Sequence, residues 1–258
     1  MGISYILKKE GLEEIEKLDT LHISKIAKNI SEKLCDSFPE LHLNQSDLFV
    51  SISRLDMYTA KMSDNNSSAK YAYTKNAIYF NKDLDLSDID TLAIHECIHF
   101  IQELYDEKGK IVRLGLYNLH SKVGLALNEA AVQLMASITT KNEMDMVTYY
   151  GINLSSISPE YYPLECAILN QMIYFTGTYP LYHSTLLSND IFQNTFSSMS
   201  SNEAYLEISK RLDKLLNAEN DTSLLANKIS TFDGSSEKLN FLNKQLEKIV
   251  YEQQKELM

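Results

Sequence analysis

Ser87-Asp88-Ile89-Asp90-Thr91-Leu92-Ala93-Ile94-His95-Glu96-Cys97-Ile98-His99-Phe100-Ile101-Gln102-Glu103-Leu104-Tyr105-Asp106 is the stretch on which the reading of this chain turns. Ile94, Cys97, Ile98, Ile101, Leu104 and Tyr105 recur at helical spacing and form one apolar stripe. Ser87-Asp88-Ile89-Asp90 has the look of a capping box, and Glu107-Lys108-Gly109-Lys110 reads as the turn that closes the segment. The pattern predicts an amphipathic helix over about 88–106.

Inside it lies His95-Glu96-Cys97-Ile98-His99. Residues four apart on a helix share a side, one turn apart, so His95 and His99 can offer imidazole nitrogens to one tetrahedral metal ion. Zinc suits such a donor pair. It lowers the pKa of a bound water toward ~7 and polarises a carbonyl, and a flanking glutamate, here Glu96, takes the proton and passes it to the leaving amine. The spacing therefore carries a mechanism as well as a binding site. Cys97 and Ile98 fall toward the apolar stripe, which assigns Cys97 to the core.

A catalytic zinc needs a third protein ligand and an open fourth position. Glu103 is two turns beyond His95 on the expected helix, ~12 Å of rise away, and cannot close the site. The longer pattern with a third histidine is absent, because Gln102 and Tyr105 stand where it would fall. Glu129 is the candidate. It lies in Gly124-Leu125-Ala126-Leu127-Asn128-Glu129-Ala130-Ala131-Val132-Gln133-Leu134-Met135-Ala136, part of a strongly apolar helix predicted over about 122–141. A carboxylate there is costly unless it is hydrogen-bonded, paired or bound to a metal.

Outward from these two helices the chain changes character. Leu12, Ile15, Leu18, Ile23, Ile26, Ile30 and Leu34 suggest one or two opening helices that end at Phe38-Pro39. Between Leu48 and Phe80, short runs at 48–52, 57–62, 69–74 and 77–80 carry β-branched and aromatic residues and read as strands of a small, mostly antiparallel sheet. Helical periodicity resumes after Ser87, with further helices expected near 160–175, 181–199, 202–217 and 236–256. The order helix, small sheet, many helices is the α+β pattern. It divides into a region 1–145 that carries the His-Glu-x-x-His helix and a helical region 146–258 packed on it, or forms one continuous domain.

His-Glu-x-x-His followed about thirty residues later by a helix bearing Asn128-Glu129-Ala130 resembles the Glu-zincin (gluzincin) peptidases, which include the thermolysin-like enzymes. The resemblance covers about 87–140. It implies a zincin-like fold, a Zn2+ cofactor, His95, His99 and Glu129 as ligands, Glu96 as general base, and hydrolysis of a peptide or protein substrate. Thermolysin-like sequences continue that helix with Ser-Asp, whose aspartate orients a histidine ligand. Val132-Gln133 stands there in this chain, so the subfamily differs. Glu-zincins place a Tyr or His near the developing oxyanion. His120 ranks first for that role, ahead of Tyr117, Tyr161, Tyr162 and His183. Zincins also bind peptide along a sheet edge just before the active-site helix, which nominates Asn76 to Asn81, with Ala77 and Tyr79 as substrate-binding positions. The alternative reading is an inactive or non-proteolytic zincin-like protein that binds a partner through its helical half.

Asn202-Glu203-Ala204 repeats the tripeptide, but it follows Ser200-Ser201 at an expected helix start, where an acidic residue favours the positive end of the helix dipole. Composition sets the outer limits. With 258 residues, 44% hydrophobic and 23% charged, the chain is long enough for one sizeable core and reads as a soluble globular protein. A net charge of -11 argues against nucleic acid as a partner. The sequence shows neither a signal peptide nor a membrane span, and three well-separated cysteines suggest no disulfide framework, so a cytoplasmic location is the default expectation.

Overall fold

The computed structural model describes residues 12–62, 68–73, 75–83, 89–230 and 236–258; the expected capping box at 87–90 falls partly outside them. Leu12–Lys17 is a strand, β1, where the spacing of Leu12 and Ile15 suggested a helix. Its register on β2 (Asp56–Met62) runs Leu12 to Met62 and Glu13 to Lys61, then resumes at Glu16 opposite Thr59 after a bulge. A bulge inserts an extra residue, so a three-residue spacing returns to the same sheet face. Leu12 duly packs with Ala60, Met62, Ala72, Ala77 and Tyr79, and Ile15 lies against the same cluster.

Helix α1 (Thr20–Ser37) starts at Asp19, whose side chain accepts from the His22 N–H at 2.8 Å, and it buries Ile23, Ile26, Ala27, Ile30 and Leu34. The run expected as a strand at 48–52 is instead the second half of α2 (Gln45–Ile52). Asn44 Oδ1 accepts from the N–H groups of Ser46 and Asp47 at 3.0 and 3.2 Å. That cap favours the helix in an apolar run short enough to fit either state.

Strands β3 (Ala69–Ala72) and β4 (Ala77–Asn81) complete a four-stranded sheet of order β1-β2-β4-β3. β4 runs parallel to β2, and the two outer pairings are antiparallel. The strand expected at the sheet edge is therefore internal, paired on both sides, with Ala77, Ile78, Tyr79 and Phe80 all buried. Four consecutive buried residues are what a strand covered on both faces requires.

Helix α3 (Ile89–Ile101) stops five residues short of the expected end, and β5 (Glu103–Tyr105), β6 (Ile111–Leu114) and β7 (Tyr117–Asn118) form a small second sheet. Helix α4 (Leu125–Thr139) follows, then the hairpin of β8 (Asp145–Tyr149) and β9 (Ile152–Ser156). Tyr150 and Gly151 turn that hairpin with φ of 47° and 81°, both left-handed as a two-residue hairpin turn demands. These five strands were not foreseen. The rest is helical: α5 (Pro163–Thr176), α6 (Thr178–Leu187), α7 (Ile191–Met199), α8 (Asn202–Ser230) and α9 (Ser236–Leu257). The single helix expected over 181–199 breaks at Ser188, where φ is 48° and Asn189 Oδ1 accepts from Ser184 Oγ and from the Ile191 N–H.

The described chain is thus a mixture of helices and small sheets. It forms two compact units, Met1–Glu103 with Met135–Lys141, and Leu104–Leu134 with Asn142–Met258. They interleave along the chain, and α4 contributes residues to both. The first unit has its core between the four-stranded sheet and the apolar faces of α1 and α3. The second is centred on side chains such as Leu169, Leu181, Phe192, Leu212 and Leu215. No helix among the described residues is long and apolar enough to cross a membrane.

Candidate metal centre

Helix α3 carries three distinct stripes, which follow directly from its 3.6-residue period. Ala93, Ile94, Cys97 and Ile98 are wholly buried and bind the helix to its core. Burial also pushes the Cys97 thiol far above its usual range, so it stays a neutral core residue. His95, His99 and Gln102 make the second stripe; Glu96, Phe100 and, just past the helix end, Glu103 make the third.

On the second stripe the Nε2 atoms of His95 and His99 converge to 3.0 Å, with the rings tilted by 69°. Two nitrogens on one tetrahedral zinc at ~2.0–2.1 Å stand ~3.3 Å apart, so this pair is close to the separation a shared ion requires. Gln102 lies at the base of the stripe, its side-chain amide 2.8 Å from His99 Nδ1. When Nε2 binds a metal, the neutral ring carries its proton on Nδ1. The amide of Gln102 then meets it with its oxygen, the two ends of that group being interchangeable by a flip.

The third member comes from α4. Its first turn is held by a residue far along the chain: Asp213 of α8 accepts from the Gly124 N–H at 2.9 Å and the Ala126 N–H at 2.8 Å. Burial raises the Asp213 carboxyl above its usual range, while the bonds from α4 pull it the other way. Gly124 has φ of +94°, and a Cβ there would come within 2.8 Å of the Leu116 carbonyl, so the entry to α4 requires glycine. Asn128, the first residue of the Asn-Glu-Ala tripeptide, is buried and accepts from the Leu116 N–H at 3.0 Å. It fixes the incoming chain. Glu129 follows it, half-buried where its neighbours Leu127 to Ala131 are otherwise buried.

Ligand atoms of His95, His99 and Glu129 lie within 4.8 Å of one another, and all three residues are half-buried. Among the described residues they are the group of histidine and acidic side chains able to hold a metal ion. Two neutral imidazoles and one carboxylate are the donor set of a three-ligand catalytic site. Glu96, on the neighbouring stripe, has its Oε2 2.7 Å from the Tyr71 main-chain N–H.

The other sequence-nominated residues are placed as follows. His120 is exposed in the turn before α4, where its N–H donates to Asn118 Oδ1, and it stands outside the three-residue group. His183 meets the Asn189 amide at 2.9 Å and the Tyr179 ring on α6. Tyr117 is in β7, and Tyr161 and Tyr162 precede α5. Ala77 and Tyr79 are 3% exposed in the sheet interior, with Tyr79 stacked on Tyr58 at 5.2 Å, so neither can receive an added peptide strand. The edge beside β4 is β3. Glu203 is in the first turn of α8, where Ser201 Oγ caps the Ala204 N–H, as expected of the second tripeptide. Sequence reasoning did not identify Tyr71, Gln102 or Asp213. A search for polar residues at i+3 from a histidine ligand could have found Gln102; the other two have no local signal.

Comparison with family models, curated proteins and solved structures finds no match to this chain.

Proposed function

We propose that this protein is a zinc-dependent metallopeptidase in which His95, His99 and Glu129 hold the ion and Glu96 serves as general base. One observation carries the reading: residues nominated as ligands from two helices, thirty positions apart in the chain, have their ligand atoms within 4.8 Å of one another. When bound there, zinc would supply a Lewis acid that acidifies a water and polarises a carbonyl. Glu96, next to His95 in sequence, would accept a proton from the attacking water and deliver it to the departing amine of a peptide or protein substrate. His99 is steadied by Gln102, and Glu129 by the anchored start of α4. His120 is the first residue to test as a donor to the developing oxyanion.

The experiment is zinc analysis of the purified protein combined with hydrolysis of a fluorogenic peptide mixture. Glu96→Gln is expected to keep stoichiometric zinc and to lower hydrolysis by at least ~10², the lower end of a general-base contribution. Equal hydrolysis by variant and parent would remove Glu96 from the mechanism. Stoichiometric zinc with no hydrolysis of any peptide would turn the assignment to a metal-binding, non-proteolytic protein.

A further inference from the structure

The stripe of α3 that carries Glu96 has a partner in the sheet. Ser68 accepts from the Asn81 N–H at 2.9 Å, which makes 68/81 a hydrogen-bonded pair of the β3–β4 ladder. Hydrogen-bonded and non-bonded pairs alternate in an antiparallel ladder, so residues 70 and 72 face β4 and the main-chain groups of Ala69 and Tyr71 face away from it. The outward N–H of Tyr71 is the one that reaches Glu96 Oε2, at 2.7 Å.

The same residue is tied twice more, once to α3 and once just past its end. The Tyr71 hydroxyl donates to Glu103 Oε1 at 2.7 Å, and its ring meets Phe100 edge-on at a centroid distance of 6.0 Å. Positions 96, 100 and 103 are spaced i, i+4, i+7, one continuous line on the helix and its exit. Tyr71 therefore spans this line, with its amide at one end and its hydroxyl at the other. Glu103, too far along the chain to bind the metal, holds the residue that holds Glu96.

A glutamate on a half-exposed helix face has three side-chain torsions, and confining them costs conformational entropy. A short hydrogen bond from a main-chain amide to a carboxylate offsets that cost and selects one orientation. It engages one oxygen and leaves the other for proton transfer. We propose that Tyr71 is the positioning residue for Glu96: its main-chain amide aims the base, and its hydroxyl bond to Glu103 keeps that amide in place. This inference rests on the metallopeptidase reading for its consequence, although the contact itself can be tested without it.

The test has two arms. In the first, amide hydrogen exchange is followed at Tyr71 in the full-length protein. Because that N–H faces away from the ladder, its protection depends on Glu96. Glu96→Ala is expected to accelerate its exchange by at least about tenfold, with Lys70 and Ala72 unchanged. Equal exchange at Tyr71 in variant and parent overturns the contact.

In the second arm, zinc-loaded Tyr71→Pro, Tyr71→Ala and Tyr71→Phe are compared on the fluorogenic peptide mixture. Proline at an edge position whose N–H points outward removes no ladder bond. Tyr71→Pro is expected to lose about 10- to 100-fold in kcat, the scale of a small misplacement of a reacting group, with KM and zinc content near those of the parent. Tyr71→Ala and Tyr71→Phe keep the amide, and both are expected to fall between Tyr71→Pro and the parent. Parent-like kcat in Tyr71→Pro overturns the positioning role while leaving the peptidase reading intact. A parent that binds zinc and hydrolyses nothing overturns the peptidase reading, and with it the catalytic consequence, while the exchange arm still decides the contact. Should Tyr71→Pro fail to fold, kcat of Tyr71→Ala and Tyr71→Phe equal to that of the parent overturns the support from Glu103.

Discussion

Replacing Asp213 by alanine should loosen the start of α4, and with it Glu129. The side chain accepts from the N–H groups of Gly124 and Ala126 at 2.9 and 2.8 Å. These are among the groups that a helix cannot satisfy within itself. A helix cap is worth ~0.5–2 kcal/mol, and a hydrogen bond to a charged group ~1.5–3 kcal/mol, so two such bonds set the upper end of the loss. The raised pKa of Asp213 shows that burial of the carboxylate opposes part of this gain. The net expectation is a loss of ~1–3 kcal/mol for Asp213→Ala. Asp213→Asn retains one acceptor oxygen and should lose about half as much by the same reasoning. Urea unfolding followed by helical circular dichroism measures both. Because Glu129 lies within one turn of Ala126, zinc affinity should fall in the same order. An Asp213→Ala protein within ~0.5 kcal/mol of the parent would refute the view that this carboxylate anchors α4.

Two further expectations are independent of that anchor. Gln102→Leu should weaken zinc binding by about 10- to 100-fold, since it removes the group beside His99 Nδ1; unchanged affinity in a chelator competition would dismiss its role. Buried Glu165 and Glu219 lie together on α5 and α8, and burial, with the neighbouring Glu165 charge second, pushes Glu219 up to about 9 from 4.5. The folded state then holds a proton that the unfolded chain releases, so stability should decline as pH rises from about 4.5 toward about 9. Glu219→Gln should flatten that decline and raise stability at the alkaline end; urea midpoints with the same pH slope in variant and parent would contradict it.

The two helices that supply the candidate site were legible in the sequence because each is long enough for its period to show. In α3 the His95/His99 pair and the core stripe of Ile94, Cys97 and Ile98 needed nothing beyond 3.6-residue geometry. β1 was misread because a bulge gives Leu12 and Ile15 a helical spacing on a strand. α2 was misread because Leu48 to Ile52 is too short to show a period, and its cap at Asn44 lay outside the run considered. The central position of β4 could not be read at all: strand order follows from the parallel pairing of β2 with β4, which sends β3 to the outside. Asp213 was hidden for a plainer reason, since the N–H groups it receives are 87 and 89 residues away. The bond of Glu103 to Tyr71 was hidden in the same way, since the two residues are 32 positions apart.

Competition between the protein and a chelating dye for zinc, run on the parent, Glu129→Gln and Glu203→Gln, tests the metal centre most directly. Glu129→Gln exchanges an anionic ligand for a neutral amide oxygen at nearly constant shape. If Glu129 completes the site with His95 and His99, that variant should bind zinc at least about tenfold more weakly than the parent, with metal-free stability little changed. Glu203→Gln, in the repeated tripeptide at the start of α8, should bind as the parent does. A Glu129→Gln protein that holds zinc as tightly as the parent would contradict the account.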